Sequence, residues 1–182
     1  MSEENQIKRI SRELKHKGKI LDFYEDTMQF PNGLTSTWDF LHHNGAAAVV
    51  PVDTEGNIYM VSQYRPGVDR VSLEIPAGCI NAGEDRKTAA ARELEEEIGY
   101  RSNKLELLLK FYSAFAYCDE YIEIYAATDL VPGKQNLDED EFLAVRTYSL
   151  DELVGKILSG EISDAKTIAG ILAYKEKYVN GH

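Results

Sequence analysis

Residues 74–100 constrain the fold more than any other part of this 182-residue chain. An apolar stretch ends at Pro76-Ala77-Gly78, and residues 85–98 then repeat with the period of an α-helix. Gly99 stands where a C-cap glycine would end that helix. The pattern therefore predicts a strand, a tight loop and an amphipathic helix in immediate succession.

The predicted helix has two distinct faces. At 3.6 residues per turn, one arc is apolar and is expected to face the core. This arc consists of Ala90, Ala91, Leu94 and Ile98. A separate, charged arc consists of Arg92, Glu93, Glu96 and Glu97. The small residue Ala89 lies in the middle of the charged arc, where it leaves room for a ligand.

Three carboxylates on one arc repel each other. Glu93 and Glu97 form a like-charge i,i+4 pair, and Arg92 relieves only part of the repulsion through Glu96. A hard divalent cation relieves it better, because Mg²⁺ takes oxygen ligands and keeps water and substrate phosphate in its remaining positions. These residues by themselves leave two alternatives, a metal site and a solvated charged helix face.

The spacing around this helix resembles the signature of the Nudix hydrolase family, G-x5-E-x7-R-E-U-x-E-E-x-G-U with U apolar. Gly78 is followed after five residues by Glu84, and after seven more by residues 92–100. Every fixed position matches, with Tyr100 a soft match at the last apolar one. The resemblance implies cleavage of a nucleoside diphosphate linked to another moiety, using Mg²⁺ or Mn²⁺.

The same resemblance implies roles for individual residues. The metal ligands would be Glu93, Glu96, Glu97 and the carbonyl of Ala77, with Glu96 and Glu97 at the catalytic centre. Glu84 and Arg92 would orient these ligands. Gly78 suits a loop that needs unusual backbone angles or a close approach. Cations serve this chemistry because they neutralise the pyrophosphate oxygens and lower the pKa of the attacking water.

Further segments resemble one branch of the family, the ADP-ribose pyrophosphatases and nucleotide-sugar hydrolases. They are residues 64–66, 73–78, 111–113, 118–120, 137–141 and 162–167. In this branch the loop that aligns with residues 138–141 supplies a carboxylate to the metals or to the attacking water. The resemblance therefore implies Glu141 as a metal ligand and Glu139 as general base. A run of four acids is otherwise typical of a solvated loop.

Two residues outside the helix are candidates for substrate binding. Arg65 is predicted to bind a substrate phosphate, because its planar guanidinium suits bidentate contact. Glu74 is predicted to hydrogen-bond ribose. The alternatives are a surface arginine at a strand end and a glutamate that braces the core.

The branch leaves the substrate open. Many ADP-ribose-specific members carry Ser-Pro-Gly near the Phe-Tyr-Ser strand, whereas residues 111–117 here contain no proline. Phe115 and Tyr117 suit either stacking on a base or sugar, or filling the core. ADP-ribose is the leading expected substrate, and another nucleotide sugar such as GDP-mannose is the alternative. A non-catalytic nucleotide-sugar sensor is the alternative of another class.

The order of predicted elements indicates an α/β or α+β fold. Strands are predicted near residues 46–52, 58–64, 71–75, 105–112, 121–127 and 142–148, and two last helices at 150–159 and 164–178. A turn at residues 53–57 predicts that the first two of these strands form a hairpin. The resemblance implies an α/β/α sandwich, the catalytic domain, over residues 44–182.

Residues 1–43 are predicted to form a separate subdomain. A polar start is followed by a hairpin around Pro31-Asn32-Gly33, whose return strand has an apolar face. An isolated two-stranded hairpin is marginal in water, so this one must pack on something. The resemblance implies that it is exchanged between the two subunits of a homodimer, with the nucleotide held partly by the partner.

Composition narrows the choice of partners. Thirty-one acidic against 20 basic residues give a net charge of −11, which provides no general attraction for nucleic acid or anionic lipid. No stretch approaches the ~18 to 20 apolar residues of a membrane span, and no signal-peptide core is expected at the start. Cys79 and Cys118 lack metal-site spacing and are expected to be reduced. We expect a cytoplasmic enzyme with no nucleic-acid or membrane partner.

Overall fold

The computed structural model describes residues 6–137 and 142–181. The chain divides into two compact units. The first contains Met1–Gly45 and Tyr112–Tyr121, and the second contains Ala46–Phe111 and Ile122–His182. Within the residues described, no helix is long and apolar enough to cross a bilayer.

An antiparallel three-stranded sheet, in the order β1-β2-β3, forms most of the first unit. Its strands are β1 (Lys8–Lys17), β2 (Asp22–Gln29) and β3 (Thr35–His42). The predicted hairpin between β2 and β3 is confirmed, and its turn places Gly33 at φ 85°, which disfavours any other residue. Strand β1 lies in the segment predicted only as a polar start, so the sequence did not predict it. Every residue of β1 is exposed, so no apolar alternation marks it.

An ion pair with a buried carboxylate ties β1 to β2 in this sheet. Asp26 is only 6% exposed, and its two carboxylate oxygens accept hydrogen bonds from Nε and Nη2 of Arg12 at 2.6 and 2.7 Å. These bonds lower the pKa of Asp26, against the opposing effect of burial. The Arg12 guanidinium also lies 3.4 Å from the centroid of the Phe40 ring on β3, so this one side chain contacts both β2 and β3.

Two sheets and three α-helices occur among the described residues of the second unit. The strands are β4 (Ala46–Pro51), β5 (Ile58–Arg65), β6 (Arg70–Glu74), β7 (Ala77–Cys79), β8 (Tyr100–Tyr112), β9 (Tyr121–Pro132) and β10 (Leu143–Tyr148). One sheet has the order β7-β4-β9-β8 and the other β10-β5-β6. The helices are α1 (Arg86–Ile98), α2 (Leu150–Leu158) and α3 (Ala165–Tyr174), and a π-helical turn follows at Lys175–Val179. The mixed α/β fold expected from the sequence is confirmed.

The predicted hairpin between β4 and β5 is wrong. β4 pairs antiparallel with β7 and parallel with β9, and all its residues are buried, as in a strand covered on both faces. β5 pairs with β6 and β10 in the other sheet, and an isolated bridge between Val52 and Ile58 joins the two chain segments. The turn signal is local. It reverses the chain correctly but does not determine which strands become neighbours.

The two faces of the sheet around β4 are covered by different helices. Val50 belongs to an apolar cluster with Ile75 and Ile171 of α3. The next residue back along the strand, Val49, belongs to a second cluster with Leu94 of α1. This alternation follows the two-residue period of a strand. It places the acidic helix α1 on one face of the sheet and α3 on the other.

Candidate active site

Helix α1 begins and ends where the sequence predicted. Asp85 is its N-cap, and the side chain accepts a hydrogen bond from the backbone N–H of Thr88 at 3.1 Å. Gly99 ends the helix at φ 74°, and its N–H donates to the carbonyl of Glu95 at 2.9 Å. The caps hold the intervening acidic residues in one regular helix.

The buried face of α1 differs from the predicted arcs. Glu93 and Glu97 are only 7% and 1% exposed, because β7 and its loop lie against them. Ala91, expected in the core, is exposed. Ala89, expected to leave room for a ligand, is fully buried beside Leu94. The predicted arcs were wrong at both alanines, since the β7 segment rather than solvent covers the acidic side of the helix.

Arg92 lies at the centre of a cluster of carboxylates. Its Nε and Nη2 donate to the two oxygens of Glu84 at 2.9 and 3.0 Å. Its Nη1 donates to Glu93 Oε1 at 2.6 Å and to Glu96 Oε2 at 2.8 Å, and Nη2 also reaches the carbonyl of Cys79 at 3.1 Å. The pair with Glu84 has the largest influence on both pKa values, raising that of Arg92 and lowering that of Glu84. The arginine thereby links the loop to two of the predicted metal ligands.

The loop carrying β7 approaches the helix very closely. A Cβ placed on Gly78 would lie 1.9 Å from Glu93 Oε1, so a side chain fits there only if the Glu93 carboxylate moves. Gly78 is not among the glycines with positive φ, so close approach, not an unusual backbone angle, accounts for it. One residue earlier, the N–H of Ala77 donates to Glu97 Oε2 at 3.1 Å. Both buried carboxylates are therefore held against the loop backbone.

These residues fit a divalent cation in their chemistry. The donor set consists of oxygens, and Glu93 and Glu97 are buried like charges whose cost a cation would offset. In the arrangement described, Arg92 bonds one oxygen of Glu93 and one of Glu96. Over residues 6–137 and 142–181, no three acidic, histidine or cysteine side chains form a ready-made metal cluster. Glu93, Glu96 and Glu97 are the side chains that would hold a metal here.

Other predictions concern residues outside α1. Glu139 and Glu141, predicted as general base and metal ligand, lie outside the described residues. In the first unit, Phe115 and Tyr117 are 84% and 54% exposed, so they do not fill a core. Neither Cys79 nor Cys118 forms a disulfide within the described residues.

Arg65 and Glu74, the two predicted substrate-binding residues, contact each other. Nε and Nη2 of Arg65 donate to the two oxygens of Glu74 at 2.9 and 2.7 Å. Glu74 is 2% exposed and also accepts a hydrogen bond from Lys166 Nζ. Burial alone would raise the pKa of Glu74, but the hydrogen bonds and charges of Arg65 and Lys166 lower it to about 2.

Lys166 is the residue at this site that the sequence did not identify. It belongs to the segment 162–167 that resembles the family branch, which was the available signal. Its role could not be inferred, because its partner Glu74 lies 92 residues away in the chain. Arg65, Glu74 and Lys166 line a cavity of about 370 Å³ together with Ser163 and Asp164.

Comparison with known proteins identifies the family. Residues 42–171 match the model of the NUDIX domain. The chain belongs to the Nudix family. The resemblance drawn from the spacing of Gly78, Glu84 and residues 92–100 is thereby confirmed.

Individual relatives agree with this Nudix assignment. The chain is 39% identical over 166 residues to the "ADP-ribose pyrophosphatase" of Bacillus subtilis (strain 168), covering 90% of each chain. It is 38% identical over 167 residues to the "Methanol dehydrogenase activator" of Bacillus methanolicus, again covering 90% of each. A solved structure described as "Crystal structure of ADP compounds hydrolase" matches with a TM-score of 0.87, covering 96% of this chain and 95% of that one. Its sequence identity is 23%, so this likeness shows the fold alone.

Proposed function

We propose that this Nudix protein hydrolyses the pyrophosphate linkage of nucleoside diphosphate sugars, with ADP-ribose as the leading substrate. Addition of one water would give AMP and ribose 5-phosphate. The observation that carries the proposal is the buried acidic face of α1, where Glu93 and Glu97 lie against the β7 loop and Arg92 links Glu93 to Glu96. The identity to the "ADP-ribose pyrophosphatase" of Bacillus subtilis over 90% of both chains supports this substrate.

Mg²⁺, or Mn²⁺ in its place, is the proposed cofactor. Its proposed ligands are Glu93, Glu96, Glu97 and the carbonyl of Ala77. When bound, the cation would neutralise pyrophosphate oxygens and lower the pKa of the attacking water. Arg92 and Glu84 would orient the ligands, since Arg92 donates to two of them and is itself held by both oxygens of Glu84. Gly78 would let the loop reach them.

The proposed acid–base chemistry uses carboxylates on two segments. Glu96 and Glu97 act at the catalytic centre on α1. Glu139 is the proposed general base and Glu141 a further metal ligand, on the strength of the resemblance of residues 137–141 to the same loop in this branch. A general base must lie within hydrogen-bond reach of the attacking water, which gives this assignment a geometric test.

The proposed substrate-binding residues are Arg65 and Glu74. Arg65 uses Nε and Nη2 to bind Glu74, and its Nη1 has no hydrogen-bond partner in the described part of the chain. Nη1 is therefore available to donate to a substrate phosphate in the adjoining cavity. Glu74 is also a candidate for contact with ribose, since a carboxylate oxygen accepts more than one hydrogen bond.

A homodimer with exchanged N-terminal strands is the proposed assembly, with residues 1–43 as the exchanged subdomain and 44–182 as the catalytic domain. Its support is the apolar surface of the β1–β3 sheet, where Ile10, Leu14 and Trp38 are exposed. A cytoplasmic location is proposed, since Cys79 and Cys118 form no disulfide within the described residues. Light scattering after size-exclusion chromatography tests the dimer, and a monomeric mass would contradict it.

A phosphatase-coupled assay with Mg²⁺ tests the reaction. Phosphatase releases phosphate from the products AMP and ribose 5-phosphate but not from an intact pyrophosphate. We expect release from ADP-ribose, less from GDP-mannose and NAD⁺, loss with EDTA and recovery with Mg²⁺ or Mn²⁺. If phosphate is released faster from GDP-mannose than from ADP-ribose, the leading substrate is wrong, but the proposed hydrolysis of a nucleotide sugar stands. Binding by calorimetry without release from any compound would instead support the nucleotide-sugar sensor.

A further inference from the structure

Helix α3 contributes a lysine to the Arg65–Glu74 pair, and the proposed function gives that lysine no role. Lys166 lies in the first turn of α3, and its side chain is 13% exposed. Its Nζ donates to Glu74 Oε2 at 2.5 Å and to Asp164 Oδ2 at 3.0 Å. The ammonium group is therefore held between two carboxylates instead of being directed to solvent.

The same turn of α3 also holds the backbone next to Glu74. Asp164 is the N-cap of α3, and its Oδ2 accepts hydrogen bonds from the backbone N–H and the hydroxyl of Thr167 at 2.9 and 2.6 Å. Thr167 is fully buried, and its Oγ1 accepts a hydrogen bond from the N–H of Ile75 at 3.0 Å. Asp164 thus fixes both Lys166 and the threonine that fixes Ile75.

Helix α3 packs closely against this segment. A Cβ on Gly170 would lie 3.1 Å from Ile75 Cδ1, so the helix already touches the side chain next to Glu74. Two residues further on, the N–H of Ala77 donates to Glu97 on α1. The segment from 74 to 77 is consequently held by α3 at one end and by the acidic helix at the other.

We propose that Lys166 is a positioning residue for substrate binding, acting through Glu74 on Arg65. Lys166 holds one oxygen of Glu74, and Glu74 binds Nε and Nη2 of Arg65, which leaves Nη1 for the substrate phosphate. Without the lysine, a buried carboxylate keeps a single cationic partner and the arginine loses its fixed orientation. The inference rests on the proposed function of the cavity.

A double-mutant cycle between Lys166 and Arg65 tests this chain of contacts. The readouts are KM and kcat for ADP-ribose with Mg²⁺, and the Kd of α,β-methylene-ADP-ribose by calorimetry. We expect Lys166→Met to raise KM and Kd about tenfold and to change kcat much less, as for the loss of one charged hydrogen bond outside the reacting atoms. In an Arg65→Gln background the same change is expected to alter KM and Kd by less than about twofold, because its route of action is gone.

Two further variants separate positioning from a general structural role. Lys166→Arg keeps the charge and is expected to restore KM to within about threefold of the wild type. Lys156→Met is the matched control. It removes a lysine of α2 whose Nζ donates to Glu161 Oε1 at 2.6 Å, and it is expected to leave both KM and Kd unchanged. If Lys166→Met does not fold by circular dichroism, Lys166→Gln replaces it in the cycle.

Each result bears on the inference separately from the proposed function. If the wild type is active and Lys166→Met has unchanged KM and Kd, the inference about Lys166 is overturned and the proposed function stands. An undiminished effect in the Arg65→Gln background also overturns it, and indicates that Lys166 contacts substrate directly. If the wild type binds the analogue but releases no phosphate, the proposed reaction is wrong. The double-mutant cycle measured by Kd then still tests the role of Lys166. A wild type that neither binds nor turns over contradicts both.

Discussion

Replacement of Gly78 by alanine tests whether the close approach of the β7 loop holds Glu93 in place. The added Cβ would lie 1.9 Å from Oε1, 2.3 Å from Cδ and 2.7 Å from Oε2 of Glu93. Real Cβ contacts do not fall below 3.0 Å, so Oε1 must move by at least 3.0 − 1.9 = 1.1 Å. Gly78 does not have a positive φ, so alanine adds no backbone strain of that kind. The substitution therefore acts mainly by displacing one carboxylate.

A displacement of this size is large for a proposed metal ligand. The bond from Arg92 Nη1 to Glu93 Oε1 is 2.6 Å long, and a movement of 1.1 Å directly away would lengthen it to 3.7 Å, outside hydrogen-bonding range. Misplacement of a reacting group by about 1 Å costs on the order of 100-fold in rate. We expect kcat of Gly78→Ala to fall about 100-fold and the free energy of unfolding to fall by about 2 kcal/mol, as for one lost hydrogen bond between charged groups.

The phosphatase-coupled assay and urea denaturation measure these two effects. Gly155→Ala is the matched control, because nothing in the described structure lies within 4 Å of a Cβ added there. Gly155 lies inside α2, so alanine is expected to stabilise the protein by about 0.5 to 1 kcal/mol and leave kcat unchanged. A folded Gly78→Ala protein with near wild-type kcat would refute the argument, since Glu93 could then move without loss.

Three other predictions concern buried carboxylates of the two units. Glu97→Gln and Glu93→Gln are expected to lower kcat by orders of magnitude with unchanged circular dichroism, because one carboxylate ligand is lost, and near wild-type turnover would contradict the proposed metal site. The pKa of Glu74 is lowered from 4.5 to about 2 in the folded state, so its contribution to stability is present above about pH 4.5 and is lost as pH falls toward 2. Urea denaturation is expected to show that the wild type loses about 2 kcal/mol more than Glu74→Gln between about pH 5 and pH 3, and equal losses would show that the carboxylate is not held as described. Asp26→Asn is expected to cost about 2 kcal/mol of unfolding free energy by weakening the pair with Arg12, and an unchanged denaturation midpoint would rule this out.

The sequence predicted α1 well because its signals are local. Asp85 and Gly99 are caps that act within one turn of the helix, and the apolar period between them needs no knowledge of the rest of the chain. The spacing from Gly78 to Glu84 indicated the Nudix family, and this resemblance predicted the loop that precedes the helix. The positions of the carboxylates could therefore be predicted before any fold was known.

What covers each face could not be predicted in this way. A helical wheel assigns the acidic side of α1 to solvent, yet the β7 loop buries Glu93 and Glu97 and leaves Ala91 exposed. β1 pairs with β2 along its length, and its exposed side chains carry no strand period. The bond from Lys166 to Glu74 joins residues 92 positions apart. Each of these failures concerns a contact between distant segments, which no local pattern encodes.

The distribution of charge within the second unit gives the chain's acidity a physical meaning. Three glutamates, Glu84, Glu93 and Glu96, bond Arg92. With the buried Glu97 next along α1, four carboxylates against one guanidinium leave a formal surplus of 4 − 1 = 3 negative charges when all are ionised. Around Glu74, by contrast, the two carboxylates of Glu74 and Asp164 are balanced by Arg65 and Lys166. An anionic pyrophosphate is repelled by the first group until a divalent cation cancels most of its surplus, and it meets no such barrier at the second. We therefore expect substrate affinity to depend on the metal more strongly than on Arg65, because the acidic group controls whether a phosphate can approach at all.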